Sequence, residues 1–224
     1  MRSVCRMCIA VPSILAAVCG ASVALADVNV TVDPGQTWLG YMNVFDLPVG
    51  SGGYVFGSPW GTPDLAATFL GPNLRLSPNT NTYNAADAFW VQPNGAGNKW
   101  MNANMYVENP ALVGQNIVFR GQTLLNNFAA GYTSQAFIKV LDPAQGYATI
   151  LETYAPLVGG QNFTLSLLVP NTPGLLPQYG FVTDGANANP ATVDALGSAI
   201  IGPIPEPASL LLVSLAGVVL LRRR

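Results

Sequence analysis

Apolar and polar residues alternate with a period of two along much of the chain between residues 27 and 204. Such alternation sends successive side chains to opposite faces of a half-buried strand. Val28-Asn29-Val30-Thr31-Val32 predicts a first strand, and residues 38–47 a second, bounded by Pro34-Gly35 and Pro48. Residues 104–108 alternate with Met105 and Val107 on one face. Residues 115–124 place Ile117, Phe119 and the small Gly121 on one side, with Val118 and Arg120 on the other. Strands over 134–141, 147–154 and 162–169 follow at regular spacing, with a short one over 179–183. Turn residues separate them: Asp142-Pro143, Gly159-Gly160, and the Pro170-Asn171-Thr172-Pro173-Gly174 run.

One stretch reads as a helix. Asn189 suits an N-cap, Pro190 the first helical position and Gly197 a C-terminal stop, with residues 191–196 between them. The segment from about 50 to 101 lacks clean alternation and is rich in Gly, Pro, Asn and aromatic residues. It predicts long loops with short strands. Many strands with almost no helix predict an all-β domain over residues 27–204, an antiparallel β-sandwich of jelly-roll-like kind.

Composition removes several function classes. Between 27 and 204 the basic residues are Arg75, Lys99, Arg120 and Lys139, against ten acids, which leaves a net charge of about −6. Nucleic acid is excluded as a partner, because its phosphates need clustered Lys and Arg. Histidine is absent, and Cys5, Cys8 and Cys19 all precede residue 27. A Cys/His zinc site, a cysteine nucleophile and a Ser-His-Asp triad are therefore not available to the domain.

The two ends read as export signals. Arg2 and Arg6 form a positive n-region, an apolar stretch runs over 7–25, and Ala24-Leu25-Ala26 fits the small-x-small cleavage rule. Residues 1–26 are thus expected to be a signal peptide, with the mature chain starting at Asp27. A lipoprotein start at Cys19 fits less well, because Val18 stands where a lipobox needs Gly or Ala. At the other end, Pro205-Glu206-Pro207 precedes an apolar run over 208–221, and Arg222, Arg223 and Arg224 follow. The prolines stop a helix from running back into the domain, the apolar run predicts a transmembrane helix, and the arginines hold its far end in the cytoplasm.

This three-part tail resembles the PEP-CTERM sorting signal over residues 205–224. The resemblance implies a substrate of exosortase, a membrane transpeptidase thought to cut near the Pro-Glu-Pro. It implies transient anchoring in the inner membrane, then transfer to the cell surface or extracellular matrix. Ala136-Phe137-Ile138-Lys139, Gly146-Tyr147, Gly160-Gln161-Asn162-Phe163-Thr164 and Gln178-Tyr179-Gly180-Phe181 resemble the exported domains of other PEP-CTERM proteins. Those domains are thought to resemble carbohydrate-binding sandwiches.

Candidate chemistry concentrates in the segment without alternation. Trp60, Trp90 and Trp100 lie there among Asn79, Asn81, Asn84, Asp87, Asn94, Asn98 and Asn102. Exposed rings stack on the C–H faces of sugars while amides bind hydroxyls, so these tryptophans are the candidate glycan-binding residues. The competing reading has the rings filling the core and the asparagines serving turns. The same oxygen-rich cluster makes Ca²⁺ the one candidate cofactor. Only Asp64 and Asp87 supply carboxylates there and no EF-hand spacing is present, so no cofactor is expected.

Glu108 and Glu152 are a formal carboxylate pair of the kind glycosidases use. Glu108 beside Arg120 across a hairpin is the expected ordinary arrangement. Lys139, flanked by Phe137 and Leu141, reads as a surface lysine with its stem on apolar neighbours. The expectation is a non-enzymatic exported protein of the surface or matrix, with exosortase and the inner membrane as partners and exopolysaccharide as ligand. A hydrolase acting on that polysaccharide is the alternative.

Overall fold

Alternation in the sequence becomes strands in the structure, a computed structural model that describes residues 27–204. Ala24 and Ala26 of the expected signal peptide lie outside the described residues. So do Pro205, Glu206, Pro207, the apolar run over 208–221, and Arg222, Arg223 and Arg224.

Twelve strands follow one another: β1 Asp27–Thr31, β2 Leu39–Asp46, β3 Tyr54–Pro59, β4 Ala67–Leu70, β5 Asn73–Leu76 and β6 Lys99–Glu108. Then come β7 Asn116–Asn126, β8 Thr133–Asp142, β9 Ala148–Pro156, β10 Asn162–Leu168, β11 Leu176–Ala186 and β12 Ala199–Gly202. They form two six-stranded sheets. The first runs β3-β2-β6-β11-β8-β9. In the second, β10 pairs one edge of β7, and β1 and β12 divide the rest of its pairing before the order continues to β5 and β4.

The pairings β8 with β9, β7 with β10, β6 with β11 and β5 with β12 are nested and antiparallel. A double ribbon paired in this way and folded between two sheets is a jelly roll. The all-β sandwich expected from the alternation is therefore present. β1 joins in parallel, with Asp27 opposite Asn116 and Thr31 opposite Arg120.

The core lies between the sheets. Met101, Ala103, Met105 and Val107 of β6 and Met42 and Val44 of β2 face Ile117 and Phe119 of β7 and Ile201 of β12. Phe119 is fully buried and centres an aromatic cluster, with ring centroids 5.2 Å from Tyr179, 5.3 Å from Phe163 and 5.4 Å from Phe181. Each such ring taken from water contributes roughly 1.5–3 kcal/mol. Gly121 completes this face because a Cβ there would meet the Phe163 ring at 2.5 Å.

Three sequence expectations change. Residues 191–196 form no α-helix: a single 3-10 turn covers Val193–Leu196, capped by Thr192. Six residues between Pro190 and Gly197 are too few to offset helix nucleation. Asn189 still accepts the Ala191 N–H at 2.9 Å, as a turn rather than a helix cap. Glu108 does not neighbour Arg120. β6 and β7 belong to different sheets, linked through a 3-10 turn at Pro110–Leu112, and Arg120 is exposed on the second sheet. Finally, β6 begins five residues earlier than the alternation indicates, and β11 spans Leu176–Ala186 rather than 179–183.

Among the described residues, no helix is long and apolar enough to cross a membrane.

Candidate functional site

Because strand side chains alternate, burying Met101, Ala103, Met105 and Val107 of β6 turns Trp100, Asn102, Asn104, Tyr106 and Glu108 outward. The register of the first sheet then aligns outward residues in rows across the strands. Glu108, Gln178, Lys139 and Glu152 make one row, and Tyr106, Gly180, Phe137 and Tyr154 the next. Tyr41, Asn104, Val182 and Gln135 follow. Gly57, Asn43, Asn102 and Asp184 come after them, and the last row holds Tyr54, Phe45, Trp100 and Ala186. From Trp100 to Glu108 the face runs roughly 27 Å at about 3.4 Å per residue.

A hydrogen-bonded amide network ties this face together. Asn43 and Asn104 both donate to Asn102 Oδ1, at 3.2 and 2.7 Å. Asn102 Nδ2 and Trp100 Nε1 both donate to Asp184 Oδ1, each at 2.7 Å. Lys139 Nζ donates to Asn104 Oδ1 at 3.1 Å and sits 4.4 Å from the centre of the Phe137 ring. Gln178 Nε2 donates to Glu108 Oε2 at 2.8 Å, and the Tyr154 hydroxyl to Glu152 Oε2 at 2.8 Å.

Such pre-bonded side chains are held in place before any ligand arrives, which lowers the ordering cost of binding. Burial shifts several of these groups. It pushes the Asp184 carboxyl up, opposed by the hydrogen bonds from Asn102 and Trp100 and by the charge of Lys139. It pushes the Lys139 ammonium down, opposed by Glu152 and Asp184. Burial also raises the Tyr106 hydroxyl, helped by Glu108 and Tyr41.

One end of the face is hollow. A cavity of about 550 Å³ is lined by Tyr41, Asn43, Asn104, Tyr106, Glu108, Lys139, Gln178 and, from the β8–β9 turn, Tyr147. The other end is an aromatic platform. Trp100 stacks on Phe45 with centroids 4.2 Å apart, and Phe45 meets Tyr54 edge-on at 5.4 Å. A second hollow, about 540 Å³ at the end of the sandwich near Asn126 and Pro156, has no charged side chain in its lining.

The three candidate tryptophans separate. Trp100 lies on the outward face, half-buried, in the row beside the amide network. Trp60 and Trp90 are half-buried against the core, Trp60 donating to Ser58 Oγ at 2.8 Å and Trp90 edge-on to Phe89. Most of the nearby amides serve loops. Asn84, Asp87 and Asn94 each accept the backbone N–H two residues on, as Asx turns do. Asn79 holds Asp64 O and Asn98 holds Ala88 O.

No group of three or more His, Cys, Asp or Glu residues converges among the described residues. Glu108 and Glu152 share a row but stand three strand spacings apart, roughly 14 Å between backbones. Gln178 and Lys139 fill the gap.

Sequence reasoning passed over Tyr41, Asn43, Tyr106 and Gln178. The signal available was the two-residue spacing of Trp100, Asn102, Asn104, Tyr106 and Glu108 itself.

No family model matches this chain, and no curated protein matches it. Among solved structures, a chain described as "CBM4 structure and function" is similar at 10% identity, over 63% of this chain and 77% of that one. The TM-score is 0.30, a likeness too slight to bear on fold or function here.

Proposed function

We propose that this protein is a non-enzymatic, exported polysaccharide-binding protein whose ligand lies along the outward face of the first sheet. The observation that carries the reading is the row pattern itself. Tyrosines and a tryptophan alternate with amides and a few charged groups over a long open face, and the polar groups are already hydrogen-bonded to one another. Aromatic rings offer broad apolar area with a polar tip, and amides supply both donors and acceptors for hydroxyls. Gln178 and Lys139 stand between Glu108 and Glu152 along the row, which supports binding over hydrolysis by a facing carboxylate pair.

The export reading accompanies it. Ala24 and Ala26 mark signal cleavage. Pro205, Glu206 and Pro207, with the apolar run and Arg222, Arg223 and Arg224, mark exosortase sorting and transient anchorage in the inner membrane. The destination is the cell surface or the polysaccharide matrix.

A glycan array probed with the full chain in mild detergent, with and without Ca²⁺, tests the proposal. Wild type is expected to bind, and Tyr106→Ala to bind about tenfold more weakly, as for an aromatic hot spot. Ser166→Ala on the exposed face of the second sheet is expected to bind like wild type. Equal binding by Tyr106→Ala and wild type would remove this face from consideration.

A further inference from the structure

Tyr147 stands at the mouth of the cavity with 64% of its surface exposed and with φ at +63°. A bulky residue in the left-handed region is strained and persists where its surroundings over-determine it. Here Asp142 does so. Its Oδ1 accepts Ala144 N–H at 2.9 Å, its Oδ2 accepts Gln145 Nε2 at 2.6 Å, and its backbone O accepts Tyr147 N–H at 3.0 Å. Gly146, at φ +67°, completes the turn. The ring gains little from burial in the free protein, so the turn presents it outward without return from the core.

In the same lining, Gln178 and Asn104 are almost fully buried, at 6% and 5% exposure. Both are held by neighbours on the face: Gln178 donates to Glu108, and Asn104 donates to Asn102 and accepts from Lys139. The cavity holds one ammonium, Lys139, and one carboxylate, Glu108, and so carries no net charge. Around it the balance is negative: Glu152 lies opposite Lys139 and Asp184 lies three rows along. Lys139 is already committed to Asn104 and is flanked by these acids, so it is poorly placed to receive an anion.

We propose that this cavity is a subsite for one uncharged pyranose unit, with Tyr147 stacking on the ring and Gln178, Glu108 and Lys139 hydrogen-bonding its hydroxyls. The inference rests on the reading of the outward face as a polysaccharide-binding surface. A chain bearing a carboxylate on every sugar would meet Glu108, Glu152 and Asp184 together, a like-charge juxtaposition that selects against it.

The test titrates the full chain in detergent with a neutral glucan, a neutral mannan, and the uronates alginate and polygalacturonate, each at low and high salt. A neutral chain is expected to bind with an affinity that salt leaves unchanged. Tyr147→Ala is expected to weaken it about tenfold, and Tyr147→Phe to keep it, because stacking needs only the ring. Uronate bound at least as tightly as the neutral chains, and weakened by salt, would overturn the subsite's chemistry while leaving the binding face standing. Unchanged affinity in Tyr147→Ala, with loss in Tyr106→Ala, would overturn the placement of the subsite. Binding to none of the four would overturn both this inference and the reading beneath it.

Discussion

Lys139 on β8 places its ammonium 3.1 Å from Asn104 Oδ1 on β6, reaching across β11 where Gly180 stands in the row between them. A half-buried lysine and a buried amide from strands that never pair directly are thereby joined over a residue with no side chain.

Gly180 is required there by close backbone approach. A Cβ would fall well inside van der Waals contact with Met105 O and 2.7 Å from the Tyr106 Cα. Gly180→Ala is therefore expected to cost about 1–3 kcal/mol, the usual range for forced overpacking. Gly53→Ala, where a Cβ would meet nothing within 4 Å, should stay within about 0.5 kcal/mol of wild type. Urea unfolding of both variants checks the contrast, and equal stabilities would show that the strands can part at Gly180.

Asp184 gives a pH signature. Burial raises its folded pKa above the unfolded value of 3.8, with Lys139 on β8 and the Trp100 and Asn102 donors on β6 acting the other way. The folded state therefore binds more protons than the unfolded state between 3.8 and that raised value. Stability attributable to Asp184 is then present below 3.8 and is lost as pH rises through the raised pKa. Asp184→Asn keeps an oxygen for both Trp100 and Asn102, yet carries no charge. Its stability relative to wild type should rise from acid toward neutral pH. Thermal melts across that range check the sign, and a variant that loses ground as pH rises would reverse it.

The proposed export and sorting are checked at the two termini of the mature protein. N-terminal sequencing is expected to begin at Asp27, and mass spectrometry to find nothing beyond about Pro207 when exosortase is present. Without exosortase the intact chain should stay in the membrane fraction. Were the apolar run over 208–221 helical it would span roughly 21 Å, against a hydrocarbon core of about 30 Å, as the proposed brief anchorage requires. Intact Arg224 on surface-displayed protein would leave a simple tail anchor in place of a sorting signal.

How much of this was legible in the sequence depends on what each strand faces. β1 and β10 alternate cleanly because one face packs inward and the other meets water with Asp, Asn, Thr or Ser. The first half of β6 hid for the opposite reason. Its outward residues include Trp100 beside Asn102, so a ring sits where alternation expects a polar group. The feature that marks the outward face thus blurs the period that would reveal the strand. β11 is buried on both sides around Gln178–Thr183, so only its middle reads as a strand. The site also gathers residues from β2, β6, β8, β11 and the turn at Tyr147. Their meeting is a consequence of jelly-roll pairing, which no local window contains.

The most direct measurement of the central claim is a crystal structure of the protein with an oligosaccharide chosen from the array. The account expects sugar rings along the outward face of the first sheet, one of them against Tyr147 above Gln178 and Lys139. Sugar bound instead in the loops at Trp60 and Trp90, or on the second sheet near Arg120 and Ser166, would contradict it.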